Sequence, residues 1–132
     1  MGGRPWNYFV PFEASVEAAL EKLRQRVFES GEYRGSKMKP ATPQEALENS
    51  GADGTASILD IMWVRELPDF CSVCPLAGKQ LTALFGTTQP TREMIQENSD
   101  FYRSIDRGQG IYIVVYKGDK PDELFFAGYS FD

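Results

Sequence analysis

The last quarter of the chain does most to restrict the fold. Two runs rich in β-branched and aromatic residues, Ile111–Tyr116 and Leu124–Phe131, flank the turn signal Gly118-Asp119-Lys120-Pro121. So short a connection demands antiparallel pairing, because a parallel pair needs a crossover of a dozen residues or more. A C-terminal β-hairpin is therefore predicted. Phe125, Phe126, Tyr129 and Phe131 also stand where most chains fray. Apolar enrichment at that place predicts a last strand built into a sheet.

The elements upstream decide what covers that sheet. Trp6–Val10 reads as a first strand, stopped by Pro11. Ser15 is an N-cap candidate for a helix to about Glu29, with Val16, Ala19, Leu20, Leu23 and Val27 on one face and Gly31 closing it. Thr42-Pro43-Gln44-Glu45 has the form of a capping box opening a short helix that ends near Asn49. Ala56–Val64 is apolar on both alternating faces and predicts a central strand. Leu67–Pro75 reads as irregular or a short strand. Leu81, Leu84 and Phe85 suggest a small helix closed by Gly86, and Pro90 opens another, with Asn98-Ser99-Asp100 as a possible break. The order β-α-α-β-α-α-β-β predicts an α+β fold: one mixed or mainly antiparallel sheet with helices packed mainly on one face. No linker or repeat divides the chain, so residues 1–132 are read as a single domain.

A chain of 132 residues can bury about two thirds of its unfolded surface and needs no disulfide or metal to fold. The net charge of −5 argues against nucleic-acid binding, which rests on Lys and Arg neutralising phosphates. Arg34, Lys37 and Lys39 form one small basic patch, read as a solvated loop. No apolar run approaches the roughly 20 residues of a membrane span. The start has no signal-peptide pattern, and Trp6 replaces the Ser or Thr that myristoylation at Gly2 requires. A cytoplasmic setting is expected. The chain has no histidine, which removes Ser-His-Asp and Cys-His catalysis and imidazole metal ligation. No cofactor is expected.

Two features have the outline of chemistry. Cys71-Ser72-Val73-Cys74 could be a redox dithiol or half a zinc site, but no further Cys or His completes a zinc shell, and Pro75 and Gly78 weaken any helix starting at Cys71. Reduced, partly buried cysteines are the simpler expectation. Asp60 interrupts the apolar run Ile58-Leu59-Asp60-Ile61-Met62; buried, it would have the raised pKa of a general acid or base. Its simpler reading is a solvent-facing carboxylate or a partner for Arg65. Ser50–Thr55 lacks the spacing and Lys of a phosphate loop, and Asp106–Gly110 lacks the ligands of a calcium loop. Glu93, Glu97 and Asp100, at spacings of four and three, would share one side of the helix opened by Pro90.

Gly54-Thr55-Ala56-Ser57-Ile58-Leu59-Asp60, Gly86-Thr87-Thr88-Gln89-Pro90-Thr91-Arg92-Glu93 and Phe126-Ala127-Gly128-Tyr129-Ser130 resemble small uncharacterised bacterial proteins, over nearly the whole chain. That resemblance implies a bacterial cytoplasmic setting and carries no activity, ligand or catalytic residue. The expected function is a non-catalytic protein-binding module, of immunity or adaptor type, presenting an acidic face such as Glu93, Glu97 and Asp100 to a basic protein. The rivals are a dithiol oxidoreductase through Cys71 and Cys74, a hydrolase through Asp60, and a small-molecule binder with an aromatic pocket.

Overall fold

The computed structural model describes residues 3–132; Gly2, on which the myristoylation reading turned, lies outside them. The chain runs through β1 (Pro5–Pro11), α1 (Val16–Ser30), α2 (Pro43–Ser50), β2 (Trp63–Val64), β3 (Ser72–Pro75), α3 (Gly78–Phe85), α4 (Arg92–Glu97), β4 (Gly110–Lys117) and β5 (Lys120–Tyr129). Short 3₁₀ turns lie at Ser36–Met38, Ile58–Asp60 and Asp100–Ser104. The α+β class, the single sheet and the terminal hairpin are as predicted.

Local signals set the helix ends. The Ser15 hydroxyl accepts from the Ala18 N–H at 3.1 Å, and left-handed Gly31 returns its own N–H to the carbonyls of Val27 and Phe28. Pro43 occupies the first turn of α2, where the Thr42 hydroxyl accepts from the Glu45 N–H at 3.1 Å.

The sheet is mixed, in the order β1-β5-β4-β3-β2. The pairs β1/β5 and β5/β4 are antiparallel, whereas β4/β3 and β3/β2 are parallel. The last strand therefore lies inside the sheet, with Phe126 opposite Tyr8 on one side and Tyr112 on the other.

Two expectations are corrected. Helices cover both faces of the sheet rather than mainly one. Leu124 and Phe126 pack with Leu20, Leu23 and Val27 of α1 and Ala46 of α2, whereas Phe125 and Ala127 pack with Ile95 of α4, Phe101 and the partly buried Leu81 and Leu84 of α3. Apolar side chains on both parities of β4 and β5 are what two covered faces require. The second correction is Ala56–Val64, which is not a central strand. Ala56 takes a positive φ of 56°, the Ser57 hydroxyl accepts from the Leu59 N–H, and the chain coils through Ile58–Asp60. Only Trp63–Val64 pairs, at the sheet edge. The coil hides Ile58, Leu59 and Ile61 completely, which is why a uniformly apolar run imitated a strand.

Trp6 shows how closely the hairpin is packed. Its indole lies against Gly128 and Gly110, and a Cβ at Gly128 would run into the ring. Among the described residues, no helix is long and apolar enough to cross a membrane.

Candidate functional site

Asp60 is fully buried and is the hub of a polar knot. One carboxylate oxygen accepts from the Thr55 N–H at 2.6 Å and the Thr55 hydroxyl at 2.8 Å, and the other accepts from the Ser130 hydroxyl at 2.7 Å. Ser57 shares a hydrogen bond with Thr55 at 2.8 Å, and Ser130 accepts from the Ala56 N–H at 3.1 Å. Gly54 is left-handed and stands against the carboxylate and Ser130, where a Cβ would collide. Arg34 closes the outside: its guanidinium donates to the carbonyls of Asp53 at 3.0 Å and Asp132 at 2.8 Å, and its own N–H donates to Thr55 O at 2.7 Å.

Burial pushes the Asp60 pKa above the usual carboxylate value, against the opposing pull of Thr55, Ser130 and the Arg34 charge. The solvent-facing reading is thereby corrected, and so is the pairing with Arg65, whose guanidinium lies over the Trp63 ring at 5.1 Å. A carboxylate with no exposed surface and every bond directed inward ties the 53–60 loop to the end of β5. Reaching a substrate would require that knot to open.

Cys71 and Cys74 are both free and are not placed to form a disulfide with each other. Ser72 and Val73 between them are extended in β3, so their Cα atoms stand about 10 Å apart, beyond the roughly 7 Å a disulfide spans. Cys74 packs in the cluster containing Phe125, and burial raises both thiol pKa values, with the charges of Asp60 and Asp69 adding to the effect at Cys71. A reactive dithiol needs the opposite shift. Mild oxidation is expected to leave both thiols free and alkylatable, with half-buried Cys71 reacting before Cys74; recovery of a Cys71–Cys74 linked peptide would contradict this geometry. Among the described residues, no three His, Cys, Asp or Glu side chains stand close enough to share a metal ion.

Glu93 and Glu97 are exposed one turn apart on α4. Asp100 does not continue that face. The helix ends at Glu97, Asn98 is extended, and Asp100 opens the following 3₁₀ turn, where it approaches Arg103 at 3.9 Å.

The outer edge of the sheet carries a feature that sequence reasoning missed. Trp63, Leu67 and Phe70 are 45%, 74% and 59% exposed within eight residues, while most apolar side chains on β4 and β5 are buried or partly buried. Phe70 stacks on Phe131 with ring centroids 6.1 Å apart, and Arg65 covers Trp63. The one sequence signal was the density of large apolar groups from the end of the predicted strand Ala56–Val64 into Leu67–Pro75, read as irregular or a short strand.

An aromatic cleft does exist between sheet and helices. It holds about 380 Å³ above Phe9, Phe101, Phe125 and Tyr102. Its one cation, Arg92, is already engaged, bound to Glu123 at 2.7 Å and stacked 4.1 Å above Phe9. No protein-family model matches the chain, and no curated protein or solved structure shows significant similarity to it.

Proposed function

We propose that this chain is a non-catalytic binding module, of adaptor or immunity type, that holds a basic protein through the outer edge of its sheet around Trp63, Leu67 and Phe70. The observation that carries the reading is the exposure of three large apolar side chains in one short segment, together with an Arg stacked on the Trp. Aromatic, Leu-sized and Arg side chains at the centre of a patch, with a charged rim, match the anatomy of protein interfaces. The rim supplies Glu66 and Asp69, and the chain as a whole carries −5, so a basic surface is the complementary one.

Side chains rather than backbone make the contact. The edge strand β2 is only two residues long and is followed by Arg65, Glu66 and Pro68, features that protect an edge from strand addition. Glu93 and Glu97 sit on α4, which packs over β1 and β5 at the far side of the sheet through Arg92 and its partners Phe9 and Glu123. In this reading they steer a basic partner at long range and make no central contact.

The test is capture of a partner from host lysate by immobilised protein, followed by affinity measurement. Trp63→Ala with Phe70→Ala is expected to weaken binding by at least about 30-fold, because loss of even one central anchor costs roughly 2 kcal/mol or more. Exposed substitutions of this kind leave the melting temperature nearly unchanged. Glu93→Lys with Glu97→Lys is expected to slow association and lower its salt dependence, with a smaller loss of affinity. A partner of acidic surface, or one held equally by the Trp63/Phe70 variant, would defeat the proposal.

A further inference from the structure

A second cleft lies elsewhere, between the end of β1 and α1. It holds about 430 Å³, with Val10, Ala19 and Leu23 as its apolar wall and Glu13, Lys22 and Arg26 at its rim. The wall residues belong to the core and are fixed by it. Lys22 and Arg26 are one helical turn apart on α1, on the same side of the helix, and both line the cleft. Glu13 engages only one of them, accepting from Lys22 Nζ at 2.7 Å. Among the described residues, Arg26 has no carboxylate within ion-pair distance.

The lining therefore carries a net single positive charge in a chain whose overall charge is −5. Such an inversion of the protein's average field selects an anion. Glu13 at the same rim sets the charge of that anion: a monoanion balances the lining, whereas a phosphate dianion would be repelled by Glu13. An apolar wall beneath a guanidinium accommodates a hydrocarbon group.

We propose that this cleft is a binding site for a small monocarboxylate with a linear apolar tail. The carboxylate takes the two-pronged hydrogen bonds of the Arg26 guanidinium beside the Lys22 ammonium, and the tail lies along Val10, Ala19 and Leu23. The aromatic cleft over Phe9 is the weaker candidate, because Glu123 already neutralises its cation. The site is separate from the Trp63 edge: the cleft is walled by Val10 and Pro11 of β1, and β1 and β2 are opposite margins of the sheet.

The experiment is a titration of the full chain with sodium octanoate, followed by amide resonances in two-dimensional NMR. Saturable shifts are expected at Val10, Ala19, Lys22 and Leu23, with shorter chains binding about fifteen-fold more weakly for every two methylenes removed. Octylammonium is expected to produce no saturable shift. Arg26→Glu should weaken octanoate at least about ten-fold while leaving the melting temperature unchanged, since Arg26 is exposed and unpaired. Arg26→Lys should retain part of the affinity, which separates loss of charge from loss of fold. Trp63→Ala should leave octanoate binding as it was. Equal saturation by octylammonium, indifference to Arg26→Glu, or no saturation by about 10 mM octanoate would each overturn the proposal.

Discussion

Truncating Phe126 to alanine is expected to remove about 3–5 kcal/mol of stability and lower the melting temperature by roughly 10–20 °C. The side chain is fully buried and packs beneath α1 with Val10, Leu23 and Ile58. Its strand pairs on both sides, so the ring is flanked by Tyr8 and Tyr112 across the ladder and has no open edge into which neighbours could relax. A cavity that cannot collapse incurs the full cost. That loss is a large part of the stability of a typical domain. Phe131 provides the contrast: it is partly exposed and stacks only on exposed Phe70, so Phe131→Ala should cost far less. Ending the chain at Asp122 goes further, because removing β5 separates β1 from β4 and leaves two unconnected pieces of sheet. Near-ultraviolet circular dichroism and thermal unfolding check both changes. A cooperative melt near the wild-type temperature, for Phe126→Ala or for the shortened chain, would mean that β5 is not an interior strand of the sheet.

The parts of this fold that could be read from sequence are those whose signals are local and periodic. The first helix was legible because Ser15, the spacing from Val16 to Val27, and Gly31 all agree on its limits. The terminal hairpin was legible because its turn is short. The segment Ile58–Ile61 was misread because an entirely apolar run has no period, and what coils it is a set of bonds to Thr55, Ser57 and Ser130. One of those partners lies seventy residues away in the chain. The knot around Asp60 was thus hidden for the same reason that the coil was. Exposure of Trp63, Leu67 and Phe70 was illegible for a different reason: residue type records a cost of hydration, and only the completed sheet shows which apolar groups were left without cover. The cleft between β1 and α1 draws on residues close in sequence, but strand and helix must be placed together before Arg26 is seen to lack a partner.

Asp60 gives the second large effect, and one with a direction in pH. Asp60→Ala deletes the acceptor of the Thr55 N–H, a buried donor that no other recorded hydrogen bond satisfies, and is expected to cost about 3 kcal/mol. The Thr55 and Ser130 hydroxyls can turn to Ser57 and to the carbonyl of Asp53, which limits the loss. Asp60→Asn should retain most of the stability. Its amide oxygen accepts from Thr55, and its NH₂ can donate to Ser130, whose hydroxyl then donates to Asp53 O, 3.1 Å away. The same reversal is available to the native side chain when it takes up a proton. Because burial raises the Asp60 pKa in the folded chain, the native state binds this proton more tightly than the unfolded state does. Between the ordinary carboxylate value and the raised one, the contribution of Asp60 to stability therefore falls as pH rises and grows as pH falls. Wild type should accordingly gain stability relative to Asp60→Asn as solutions are taken from neutral into that interval, although other carboxylates lower the stability of both chains. Denaturant unfolding of the two proteins at a series of pH values measures the difference directly. If wild type instead loses ground to the Asn variant on acidification, the hydrogen bonds and Arg34 outweigh burial, and Asp60 is an ionised strut at every pH at which the chain is folded.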